Sequence, residues 1–138
     1  MWAKAGIRAR LNAIPFANFI PKILNFDTSV YMLGWGVATF DGLYTLQSLV
    51  RTKTTGADGS FNLGRVSDSK LDNTIDAIKI ATNPQARDAL LREALLKTRD
   101  EAYYVPLHHQ MRPWAMKKGV SISYSPDDRP QARFATVK

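Results

Sequence analysis

The sequence predicts an α/β fold: a βαβ unit, then a helical hairpin, then C-terminal strands. Three observations carry this expectation. Residues 7–14 alternate apolar and polar, and apolar residues at helical spacing and a short apolar run follow them. Helix-start signals at Ser69 and at Asn83-Pro84 open two consecutive stretches with apolar stripes. Beyond Tyr103 the helical period is lost and proline-bearing extended segments take over.

Trp2-Ala-Lys-Ala-Gly6 reads as the last turn of a helix, with Gly6 just past its end. In 7–14, Ile7, Ala9, Leu11 and Ala13 share one face and Arg8, Arg10 and Asn12 the other, which predicts a half-exposed strand. Pro15 ends it. Phe16, Phe19, Ile20, Ile23 and Leu24 predict a helix that Pro21 kinks or splits. Ser29 to Leu33 suits a covered strand, and strand, helix and strand in this order make a right-handed βαβ unit.

From Asp41, the apolar residues Leu43, Leu46, Leu49 and Val50 predict a helix ending near Arg51, and 52–62 is a loop rich in turn residues. Leu71, Ile75 and Ile78 face one way on the next helix, for which Ser69 and Asp72 form a start like a capping box. Asn83 caps a second helix with Pro84 at its first position, and Leu90, Leu91, Ala94, Leu95 and Thr98 form its buried stripe. The two helices form an αα-hairpin. Residues 103–111 read as a strand, with one of Tyr103 and Tyr104 buried and the other exposed. Residues 114–117 and 121–124 are further extended segments, Gly119 turns the chain, and the tail from Ser125 is loose.

Composition narrows the function. A chain of 138 residues fits one domain, 1–138. With no cysteine there is no disulfide framework, thiol nucleophile or thiolate metal site. The net charge is +7, but the basic residues are scattered with no run longer than two, so the sequence points away from nucleic acid. No segment has the ~18 apolar residues of a membrane span, and the first residues lack the hydrophobic stretch of a signal peptide. Either the protein is cytoplasmic or the chain is a piece whose export signal lies upstream, and the opening on a helix end favours the second.

The one stretch that looks like binding is Gly34-Trp35-Gly36-Val37-Ala38-Thr39. A strand end opens into a glycine-flanked indole and leads to Asp41, where a helix can start. Trp35 fits either a core aromatic or a ligand wall, and glycines that allow close backbone approach favour the wall. Other candidates read as structural. His108 and His109 are neighbours on a predicted strand and point to opposite faces, so they do not chelate one ion. Asp68, Asp72 and Asp76 line one side of a helix start, where the dipole favours acids, and read as a solvated, capped terminus. No nucleophile elbow or phosphate-binding loop is present, so no catalysis and no cofactor or metal are expected.

The order of these motifs resembles the C-terminal part of bacterial ABC-transporter solute-binding proteins of the dipeptide, oligopeptide and nickel class, family 5. The resemblance lies in Trp2-Ala-Lys-Ala-Gly-Ile-Arg-Ala-Arg-Leu11, Tyr31-Met-Leu-Gly-Trp-Gly36 followed by Asp41, Leu71-Asp-Asn-Thr-Ile-Asp76 with Asn83-Pro-Gln-Ala-Arg87, and Tyr104-Val-Pro-Leu-His-His109. It covers nearly the whole chain. It implies one lobe of a two-lobed, type II-like periplasmic binding protein that closes on a peptide or similar small solute and delivers it to a membrane ABC permease. It also implies a missing N-terminal lobe, and hence self-association of this piece through exposed cleft and hinge surface. Peptide-binding relatives often carry an aspartate three residues after the loop tryptophan, to pair with the peptide ammonium. Here that position is Ala38, while Asp41 matches a later, structural aspartate. The resemblance therefore leaves the ligand class open. The alternative is a small basic α/β domain that binds nucleic acid or another protein.

Overall fold

The computed structural model describes residues 2–123, 125 and 129–138. The chain divides into two compact units, Met1–Gly34 and Trp35–Lys138. The fold is mixed, mainly helical, with one small antiparallel sheet.

In the first unit a short 3₁₀ turn, Trp2–Ala5, is closed by hydrogen bonds from the Gly6 and Ile7 amides to the Ala3 and Trp2 carbonyls, as expected for a helix end at Gly6. Helix α1, Phe16–Leu24, runs through Pro21 as one helix. Of its apolar residues, Ile23 is buried while Phe16 and Leu24 are exposed. The expected βαβ unit is not formed: 7–14 and 29–33 lie outside any strand, and Leu11 is 92% exposed. Period-2 alternation specifies which face a strand would bury, but not a neighbour to accept its backbone hydrogen bonds, and an unpaired strand is not stable.

In the second unit Asp41 caps helix α2, Gly42–Thr45, by accepting from the Leu43 amide at 2.8 Å. The helix then widens into a π turn, Leu46–Val50, closed by the Arg51 amide on the Leu46 carbonyl at 2.9 Å. Helix α3, Ser69–Ile80, is capped by Asp68, which accepts from the Lys70 and Leu71 amides. The cap is thus one residue earlier than the Ser69 start read from sequence. Asn83 caps α4, Pro84–Asp100, through the Ala86 amide, with Pro84 in the first turn as expected.

Helices α3 and α4 pack together as the expected hairpin. The core consists of Leu46, Val50, Leu71, Ile75, Ile78 and Ala94, with Leu43, Leu49, Val66, Leu90, Leu91, Tyr103 and Tyr104 packed around it. Leu95, expected in the buried stripe, is 45% exposed. Tyr103 and Tyr104 are both half-buried, because Ala102 takes a left-handed turn (φ 51°) and no strand follows to put them on opposite faces. Their hydroxyls donate to Asp68 Oδ2 at 3.2 Å and to the Leu49 carbonyl at 2.8 Å.

Among the described residues, 103–111 and 114–117 form no strand. The sheet is β1, Val120–Ser121, paired antiparallel with β2, Thr136–Val137, in the register Val120 with Val137 and Ser121 with Thr136. Gly119 makes the expected turn into β1 with φ +87°, where a Cβ would lie 2.9 Å from the Lys138 carbonyl oxygen. The tail expected to be loose thus supplies β2, preceded by a 3₁₀ turn, Ala132–Phe134. Tyr124 and residues 126–128, part of the expected last strand and tail, lie outside the described residues.

Candidate functional site

Of the stretch 34–39, Gly34 is the last residue of the first unit, and Trp35 to Thr39 belong to the second. Gly34, Gly36, Ala38 and Thr39 are exposed, and Trp35 and Val37 are half-buried. The Phe40 amide donates to the Val37 carbonyl at 3.3 Å and Phe40 is left-handed (φ 55°), so 37–40 form a tight turn. The Thr39 hydroxyl accepts from the Asp41 amide at 3.4 Å and ties this turn to the helix cap.

Trp35 is held on three sides. Its ring stacks on Tyr44, with centroids 5.5 Å apart and planes at 26°, and meets Phe61 edge-on at 5.5 Å and 62°. Its indole Nε1–H donates to the Thr45 hydroxyl at 3.2 Å. Tyr44 and Phe61 remain 37% and 38% exposed, so the three rings form an aromatic face open to solvent rather than a sealed core. A Cβ at Gly34 or Gly36 would meet nothing within 4 Å, so packing of the described residues does not require either glycine. Sequence reasoning found Trp35 and missed Tyr44, Thr45 and Phe61. Tyr44 and Thr45 stand on the predicted helix, and Phe61 lies in a loop whose path no local pattern reveals.

Both carboxylate oxygens of Asp41 are engaged: Oδ1 accepts from the Leu43 amide and Oδ2 lies 2.8 Å from Arg87 Nη2 on α4.

By taking the Arg51 amide to the Leu46 carbonyl, the π turn frees the Gln47 carbonyl, while Ser48 stands in the last turn, whose carbonyls any helix leaves open. Gln47 O accepts from the Gly59 amide at 2.8 Å and Ser48 O from the Phe61 amide at 2.9 Å, which draws the 52–62 loop along the helix and brings Phe61 to Trp35. Gly59 is required there: its φ is +64°, and a Cβ would lie 2.5 Å from the Arg51 carbonyl oxygen. Asn62, 2% exposed, closes the loop by donating to the carbonyls of Arg51 and Val66 and accepting from the Val66 amide.

A charged network backs the loop. Arg51 pairs with Asp72 at 2.7 Å and with Asp76 at 3.0 Å, and Lys79 bridges Asp76 and Asp58, each at 2.9 Å. Asp58 also accepts from Gln47 Nε2 at 2.7 Å, and Asp72 from the Thr52 amide at 2.9 Å. The hydrogen bond from Lys79 holds the Asp58 carboxyl below the usual carboxylate range, against the opposing effect of burial. Lys79 and then Arg51 do the same for Asp76. The aspartate row read as a solvated helix start is therefore a paired one: Asp68 meets Lys97, and Asp72 and Asp76 meet Arg51, partners too distant in sequence to be seen from it, while Lys79 lies only three residues from Asp76. Among the described residues no group of three His, Asp or Glu is placed to hold a metal ion, and His108 and His109 are exposed. No helix among them is long and apolar enough to cross a membrane.

Comparison with models of known protein families, with curated proteins and with solved structures finds no match.

Proposed function

We propose that the chain is a binding module: the C-terminal lobe of a two-lobed periplasmic solute-binding protein, which holds a peptide or similar small solute for a membrane ABC permease and performs no chemistry on it. The observation that carries this reading is the aromatic face of Trp35, Tyr44 and Phe61, open to solvent at the loop that leads into α2. Flat rings packed against one another beside a loop–helix junction suit recognition of a small guest, and the indole N–H is already engaged by Thr45 in holding the wall. The order of the motifs from Trp2 to His109 supports the same reading.

The test is to express the full protein as its gene encodes it, release bound small molecules by denaturation and identify them by mass spectrometry. A defined peptide or small solute should be recovered, and Trp35→Ala should lose it while far-UV circular dichroism is kept. Retention of the same molecule by Trp35→Ala, or salt-sensitive retention of the protein on DNA with no small molecule recovered, would overturn the reading.

A further inference from the structure

Besides the Asn62 bonds to Arg51 and Val66, the 52–62 loop is held at the aromatic face by two kinds of attachment. One is the backbone pair already described, Gly59 to Gln47 and Phe61 to Ser48. The other is ionic. Lys79, in the last turn of α3, donates to both oxygens of Asp58, at 3.0 and 2.9 Å, and Asp58 sits three residues before Phe61. The Thr54 amide donates to the Asp58 carbonyl at 3.1 Å, so the side chain of Asp58 anchors a closed turn rather than a slack loop. Lys79 is fixed in its turn by Asp76 at 2.9 Å, and Asp76 by Arg51, the residue from which the loop departs.

We infer that the Lys79–Asp58 clip sets where Phe61 stands against Trp35, so that Asp58 and Lys79 are positioning residues for the aromatic wall although neither belongs to it. The functional part of this inference rests on the reading of that face as a ligand wall; the geometric part does not. The backbone pair and the Gln47 side-chain amide hold the loop along the π turn, and Asn62 closes its end. The bidentate ionic contact with Lys79 adds a hold from α3. The loop then acts as a strap pinned at both edges, and the edge-on contact of Phe61 with Trp35 reports its position.

The experiment reads the Trp35 indole N–H resonance of the whole chain in the absence of ligand, assigned by its loss in Trp35→Phe. Phe61→Leu gives the shift that marks a missing edge-on ring. Asp58→Ala and Lys79→Met should each move the resonance in the same direction as Phe61→Leu, and Lys79→Arg, which keeps the charge, should restore most of the wild-type position. Lys97→Met, which removes an ion pair elsewhere on the hairpin, should leave it in place. A resonance that stays at the wild-type position in folded Lys79→Met or Asp58→Ala overturns the inference, because the backbone pair and Asn62 would then hold Phe61 without the clip. Failure of the wild-type protein to bind any solute would count against the ligand-wall reading, which this measurement does not use.

Discussion

Lys97, in the last turn of α4, places its Nζ 2.8 Å from Oδ2 of Asp68, the residue that caps the start of α3. One carboxylate thus ends two helices: Oδ1 takes the Lys70 and Leu71 amides of α3, and Oδ2 takes Lys97 and the Tyr103 hydroxyl. The hydrogen bond from Lys97, followed by that from the Leu71 amide, lowers the Asp68 carboxyl to about 2. A carboxylate with a folded-state value below its unfolded value of about 3.9 stabilises the fold above that pH and loses its contribution as pH falls through the folded value. Carboxyl-carbon NMR should show Asp68 titrating near the bottom of that window. Lys97→Met should raise its midpoint toward the ordinary range and bring acid unfolding to higher pH.

Helix α3 carries a built-in contrast between two isoleucines. Ile75 is fully buried in the core, and Ile80, at the end of the same helix, is 81% exposed. Ile75→Ala should cost about 2–5 kcal/mol in urea unfolding, through lost burial and a residual cavity. Ile80→Ala should stay within about 0.5 kcal/mol.

Two loop glycines offer a backbone test. Gly59 is left-handed with three backbone atoms within 2.7 Å of where a Cβ would sit, whereas at Gly56 the nearest contact is the Thr54 hydroxyl at 3.6 Å. Gly59→Ala should destabilise by about 1–3 kcal/mol, because strain is added to a clash that cannot be relieved. Gly56→Ala should be neutral or slightly stabilising by thermal unfolding.

Trp35→Phe separates the ring from its hydrogen bond. The variant keeps an aromatic face against Tyr44 and Phe61 but leaves the Thr45 hydroxyl without the indole donor. It should cost about 0.5–1.5 kcal/mol of stability, the usual worth of one hydrogen bond. Thr45→Val should cost a similar amount, and the two should not add, because each removes the same bond.

What the sequence revealed and what it hid divide along a physical line. The helices beyond Asp41 were legible because their signals are local. Asp41 and Asn83-Pro84 mark starts, Leu71, Ile75 and Ile78 repeat at the helical period, and the structure buries those three residues together. The strands were not, because alternation in 7–14 and an apolar run in 29–33 describe a face without naming a partner, and none of these residues is paired. The pairing that does form, Val120 with Val137, joins segments seventeen residues apart and depends on a turn at Gly119. In the candidate site, Trp35 was legible from its setting between glycines. Its neighbours were not: Phe61 arrives through carbonyls left open at the π turn that ends the helix, and nothing in Leu46-Gln-Ser-Leu-Val50 distinguishes that turn from ordinary helix.

That π turn amounts to one surplus residue lodged in a helix. Deleting a single position between Leu46 and Val50 would let regular pitch return, take the Gln47 carbonyl back into the helical ladder and leave the Gly59 amide without its acceptor. A change of one codon, with no aromatic residue altered, would then loosen the loop that seats Phe61 while sparing the Trp35–Tyr44 stack. At this spot the number of residues, and not only their side chains, decides where a ring stands.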